Sequence, residues 1–324
     1  MKPSISLRKM PFPRNLLILT ILAAVIPILP LPSYFFHILI MLLLFSYLST
    51  AWTIVSGYAK QISLGHSSFV GLGAYVSTLL LIYFGVTPWF GAVAAIAVSL
   101  AVAVLIGFPA FKFGVRGPYF SFATMALAAI LESIFISARK ITGGSLGISI
   151  PYKESWAYFQ FSSKIPYYYI ALLTWFLAVT LAFSIERNWF GYYLMAIRED
   201  EDAAEAVGIN VTRSKLIALL LSVGLTAWGG VFYAQYNLYI DPATLFGLPL
   251  SFQIATTSTI GNPKRWIGPT IGALVLVPFS EILRVVTGAT FGSLSFLLYG
   301  ALLIIVARFL PNGLHGLMTE KAKQ

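Results

Sequence analysis

The chain has 324 residues, of which 58% are apolar and 10% charged, with a mean hydropathy of +0.85. Soluble domains carry about 25% charged residues, so this composition excludes an ordinary soluble fold. A net charge of +10 would suggest nucleic acid in a soluble chain, but here Lys and Arg fall between apolar runs, and the lack of cysteine removes disulfide and thiol chemistry.

In chain order, residues 1–14 are basic, with Lys2, Arg8, Lys9 and Arg14. An apolar run from Asn15 to Leu31 follows. No A-x-A-type cleavage pattern succeeds it and another apolar run begins at once, so it reads as a retained first span rather than a signal peptide. Further apolar runs cover 35–55, 68–84, 89–111, 119–137, 167–185, 216–236, 248–262, 270–286 and 294–308. Only helices and closed barrels satisfy the backbone in lipid, and runs this long and continuous are not barrel strands. The expectation is an all-α polytopic bundle, one transmembrane domain over 1–324 with about ten spans, which could divide into two inverted halves of five. The eighth run is short, as a broken or tilted segment would be.

Placing the N-terminus inside and alternating puts 16 of the 21 basic residues on the inner side. By that bias both termini, including the tail 309–324, and the long 186–215 loop are expected in the cytoplasm. Arg139, Lys140, Lys153 and Lys164 in the 138–166 loop run against it.

Two stretches hold the candidate chemistry. Ser56 to Tyr75 reads SGYAKQISLGHSSFVGLGAY, placing Gln61, Ser63, Gly65, His66, Gly71 and Gly73 beside an apolar run. Glycines at membrane depth permit an unwound segment or close helix approach. Ser67 or Ser68 is expected to cap the next helix, whose N-terminus suits an anion such as a carboxylate. The plain alternative is a turn followed by a small-residue packing face, with His66 a hydrogen-bonded interfacial group. Met195 to Lys215 reads MAIREDEDAAEAVGINVTRSK; with Glu186 upstream, it gathers six of the chain's 11 acidic residues. Acidic residues at its start, alanines within, and Gly208 and Asn210 at its end predict a two-turn helix over about Asp200–Val207 with a left-handed cap. Ala203 and Val207, four apart, would give it a small apolar face. A solvated connector is the plain alternative. Within the apolar runs Glu132 and Glu281 are the acidic residues; Arg284, three residues on, would pair Glu281. The Gly-rich 142–147 stretch lacks a following Gly-Lys-Ser/Thr, so no phosphate-binding loop for ATP is recognisable. The three histidines, His37, His66 and His315, are far apart, no HExxH occurs, and no catalytic Ser/His/Asp set stands out.

The run from Ala196 through Asp202, Ala203, Ala204, Glu205 and Gly208 to Asn210 resembles the EAA loop of bacterial ABC importer permeases, in the branched-chain amino acid, M-type branch. Asp202 stands where the wider motif has Glu. The Ser56–Tyr75 stretch is similar to the N-terminal signature of that family. Arg116, Gly117, Tyr119, Phe120 and Thr124 resemble its R-G-x-Y-F…T segment, and Thr142 to Ile148 its outer T-G-G-x-x-G loop. Gly268, Pro269, Gly272 and Ala273 match its G-P-x-x-G-A, but Asn262 to Trp266 replaces the usual G-G-x-G-T. The stretch Arg308 to Gly316 resembles its closing R-P-x-G-I-x-G pattern, with one extra residue before Pro311.

The resemblance implies a permease subunit in a prokaryotic plasma (inner) membrane, with no cofactor or ATPase site of its own. ATP would be used by partner ATPase subunits docking at Glu199, Asp202, Ala203, Ala204, Glu205 and Gly208. A second permease, an extracytoplasmic binding protein and lipid would complete the assembly. The translocation path would involve Gln61, Ser63, Gly65, His66, Gly71, Gly73, Tyr119 and Thr124. Branched-chain or related hydrophobic amino acids are the expected substrates, with urea or short amides next. A secondary transporter would need coupling residues of its own, for which Glu132 and Glu281 are the candidates.

Overall fold

The computed structural model describes residues 14–30 and 32–287, with the backbone alone at residues 14, 15 and 282–287. The basic stretch 1–13, the expected span 294–308, the Arg308–Gly316 motif and the tail lie outside the described residues, as does the side chain of Arg284.

The chain opens with α1 (Arg14–Val25), α2 (Ser33–Trp52), α3 (His66–Phe84), α4 (Pro88–Lys112), α5 (Pro118–Ser137) and the one-turn α6 (Arg139–Thr142). After the two-residue strand β1 (Ile148–Ser149) come α7 (Lys164–Arg187), α8 (Trp189–Glu199), α9 (Glu201–Ala206) and α10 (Val211–Asn237). Strand β2 (Tyr239–Ile240), α11 (Pro242–Phe246), α12 (Leu248–Gly261) and α13 (Gly268–Thr287) follow. Pro88, Pro118 and Pro242 each stand in a first helical turn, where a missing N–H costs no hydrogen bond.

Among the described residues six helices are long and apolar enough to cross a membrane: α2 with its π-type extension Thr53–Tyr58, then α3, α4, α5, α7 and α10. They match the runs expected at 35–55, 68–84, 89–111, 119–137, 167–185 and 216–236. The first run is shorter than expected. The 12 residues of α1 rise about 18 Å against a hydrocarbon core of about 30 Å, and Pro27 turns the chain into a 3₁₀ turn over Ile26–Ile28. The eighth run is the 14-residue α12, preceded by the separate α11 because Gly247 and Pro249 interrupt the helix.

The apolar window of α2 is 89% buried, against 33% for α4 and 28% for α5, so α2 is the core helix and the other two lie on the outside of the bundle. α10 packs on α3, α4 and α2. The α3–α10 contact is made backbone to backbone: a Cβ on Gly73 would lie 2.0 Å from the Ala227 carbonyl oxygen, and one on Gly230 2.1 Å from that of Val70.

The connections sort onto two ends. Residues 59–65, 113–117, 188–210 and 262–267 share one, joined by Gln61–Glu201 and Arg116–Asp202 contacts. There the guanidinium of Arg265 meets Glu186, whose other oxygen accepts from the Trp266 N–H, each at 2.9 Å. This ties α7 to the segment that replaces the family's G-G-x-G-T. The opposite end carries residues 85–87 and 138–163 and the antiparallel β1–β2 pair. The Gly-rich turn there is built rather than loose. Gly143, Gly144 and Gly147 all have positive φ, Thr142 is 3% exposed, and the Tyr239 hydroxyl donates to the Leu146 carbonyl.

Candidate functional site

The acidic segment folds close to its expected form. Asp200 caps α9 rather than belonging to it: its Oδ1 accepts from the N–H groups of Asp202 and Ala203 at 2.9 and 3.0 Å. Gly208 ends the turn at φ +90°. Asn210 differs from its expected left-handed role; at φ −75° it is the N-cap of α10, its Oδ1 accepting from Arg213 N–H. Val207 is 78% exposed, and Glu199, Ala203, Glu205 and Gly208 are also exposed. Ala204 is turned inward at 3%. The face free to meet a partner therefore has Ala203 and Val207 as apolar members, with Glu199, Glu205 and Gly208 beside them.

Below this helix lies a charged cluster. Glu201, on the first turn of α9, is only 14% exposed at its side chain. Its Oε1 takes Lys215 Nζ at 2.5 Å and the Gln61 amide at 3.0 Å, and its Oε2 pairs with Arg116 Nε at 2.9 Å. Arg116 also forks onto both oxygens of Asp202, at 2.7 and 3.1 Å. That bond holds the Asp202 carboxyl below the usual range, and the same bond together with the Glu201 charge raises the Arg116 guanidinium. Lys215 is 2% exposed and also lies over the Phe111 ring. A buried ammonium needs such a counter-charge. Sequence reading missed Glu201 and Lys215; the available signal was a lysine standing where an apolar run begins.

The 59–65 segment starts at this cluster and runs along α5. Ser121 Oγ donates to the Ile62 carbonyl, Leu64 N–H donates to Thr124 Oγ1, and Gly65 abuts the Thr124 carbonyl. Tyr119 does not join them: it is 75% exposed, because the buried stripe of α5 is Phe120, Ser121, Thr124, Leu127 and Ala128 and Tyr119 falls off it.

α3 then begins inside the protein, with His66, Ser67 and Ser68 all 0% exposed. His66 is buried, not interfacial. Ser222 Oγ gives its proton to the Ala51 carbonyl at 2.6 Å, so it accepts from His66 Nε2, which leaves Nδ1 to accept from Ser63 Oγ. The expected serine caps are not used; Gly65 is the cap residue without a side-chain bond, and the Ser67 N–H is satisfied by Ser251 Oγ of α12. Ser67 Oγ donates to the Phe246 carbonyl. Gly71 faces the Phe246 ring, where a Cβ would come within 2.4 Å, and Gly73 faces Ala227. Within this chain both glycines meet other helices. Glu132 and Glu281 are half-buried. No cluster of His, Cys, Asp and Glu among the described residues could hold a metal.

The profile described as "Branched-chain amino acid transport system / permease component" matches residues 34–307. The chain is 26% identical over 297 residues to the high-affinity branched-chain amino acid transport system permease protein LivM of Salmonella typhimurium, covering 85% of this chain and 68% of that one. It is 26% identical to LivM of Escherichia coli K12, covering 81% and 65%, so it spans about two thirds of these relatives' length. The probable LivH permease of Methanocaldococcus jannaschii is 25% identical over 79% of this chain and 84% of that one. No solved structure matches. With an all-helical bundle and a profile that covers most of its length, the chain belongs to the branched-chain amino acid transport system permease family.

Proposed function

We propose that the chain is the permease subunit of an ATP-driven importer for branched-chain or related hydrophobic amino acids, sited in a prokaryotic plasma membrane. It is read as having about ten spans, in two oppositely oriented halves of five. The ATP would be hydrolysed by separate subunits, and a second permease and an extracytoplasmic binding protein would complete the assembly. The observation that carries this is α9: a capped helix with an exposed Ala203–Val207 face, at the end where most basic residues of the connections lie. That charge bias supports a cytoplasmic position for this end, where an ATPase would meet it.

Proteoliposomes containing the complete complex test the reading. They should take up radiolabelled leucine only with ATP on the α9 side, and Val207→Asp should strip the ATPase from the purified permease. Uptake independent of ATP, driven by an ion gradient, would replace the reading with secondary transport.

A further inference from the structure

The exposed face of α9 could dock a partner without informing the rest of the molecule, since the helix has only six residues. What ties it inward is its buried side, where the carboxylate of Glu201 gathers three elements. Lys215 belongs to the second turn of α10, Arg116 to the α4–α5 turn, and Gln61 to the segment that seats α3. Gln61 is 1% exposed and its amide reaches Glu201 Oε1 at 3.0 Å.

From Gln61 the contacts continue inward. Ser56 Oγ donates to the Gln61 carbonyl and accepts from the Ser63 N–H. The Ser63 carbonyl accepts from the Trp52 indole, and its hydroxyl pairs with His66 at 2.9 Å. Each partner is nine-tenths buried, so no water is at hand to replace a lost bond. Arg116, about half exposed, instead steadies α9 from the solvent side.

We propose that Glu201 is the joint through which displacement of α9 reaches the start of α3. It acts by positioning Gln61 and so the Ser63–His66 pair, and it rests on the reading of α9 as the ATPase docking helix. A shift of α9 then either carries the 59–65 segment with it or breaks a largely enclosed charge-assisted hydrogen bond. Any displacement of the segment is thereby linked to displacement of α9.

The test uses the complete complex in proteoliposomes with leucine, and reads three quantities: ATPase co-purifying with the permease, basal ATP hydrolysis, and leucine-stimulated hydrolysis. Gln61→Ala cuts the tie without stranding a charge. Glu201→Leu combined with Lys215→Met removes the acceptor and its buried partner together, which avoids an unpaired ammonium and keeps the protein folded. Both should retain wild-type co-purification and lose about tenfold in stimulation, the scale of one charge-assisted hydrogen bond. All three changes together should cost no more than the worse variant, because they cut the same link. Full stimulation in Gln61→Ala, or losses that multiply in the combined variant, would overturn the proposal. So would failure of the ATPase to co-purify with folded Gln61→Ala, since the residue would then serve docking. Val207→Asp separates the two levels. If it alone abolishes co-purification while Gln61→Ala behaves as wild type, docking at α9 stands and the joint falls. If Val207→Asp keeps full assembly and stimulation, both fall.

Discussion

At the scale of single residues, backbone conformation and burial decide which members of the acidic segment matter and why. Gly208 sits at φ +90° with nothing within 4 Å of where a Cβ would be, so substitution there strains the backbone without causing a clash. Gly208→Val should therefore destabilise the α9–α10 turn by about 1–2 kcal/mol, read as a lower melting temperature in detergent, with the protein still inserted in the membrane. An unchanged melt would mean that the turn relaxes at no cost. Ala204, in contrast, is buried against its own chain, so a large residue there would push α9 off the bundle from within. The same reasoning separates the two carboxylates side by side on this helix. Asp202 faces water and pairs with a half-exposed arginine, an arrangement of small net value. Glu201 is largely enclosed and holds a buried ammonium and a buried amide.

At the scale of elements, the glycines of the Ser56–Tyr75 stretch act through helix contact. Gly73 lets α3 approach the Ala227 backbone of α10, while Gly230 does the same in the other direction against Val70. Gly73→Leu should cost roughly 1–3 kcal/mol or more through overpacking. The expected readout is a lowered yield of folded, monodisperse protein together with a lower melt, not lost uptake by a normal fold. A stable Gly73→Leu variant that melts as wild type but transports nothing would instead assign this position to the path. The Glu186–Arg265 pair belongs to this scale as well. It shows how the chain keeps the α12–α13 turn in place where the family's glycines are replaced: Asn262 takes φ +108°, Trp266 packs on Phe183, and Glu186 closes the turn.

For the whole molecule, the sorting of connections onto two ends gives a direct test of orientation. Val207 and Trp156 are 78% and 66% exposed and lie at opposite ends, which makes both accessible probes. In intact cells an impermeant maleimide should label Trp156→Cys quickly and Val207→Cys only after permeabilisation. The reverse pattern would invert the topology and put the α9 face outside, away from any cytoplasmic ATPase.

Much of this was determined by the sequence alone. Long apolar runs admit only helices in lipid, so among the described residues six helices long and apolar enough to span stand where hydropathy predicts them. The α9 turn was legible because caps are local: Asp200, the alanines and Gly208 act within one or two turns of themselves. Where a proline intervenes the run length misled, as at α1, since an apolar stretch reports burial but not helical continuity. What the sequence could not show was who meets whom. Glu201 and Gln61 are 140 residues apart, His66 and Ser222 156, and Ser67 and Ser251 184. A polar side chain in such a chain announces that it needs a partner, because lipid offers none, but not which one. Only the packing of α3 against α10, and of the 59–65 segment along α5, decided that the acidic helix and the buried histidine lie on one line of contacts.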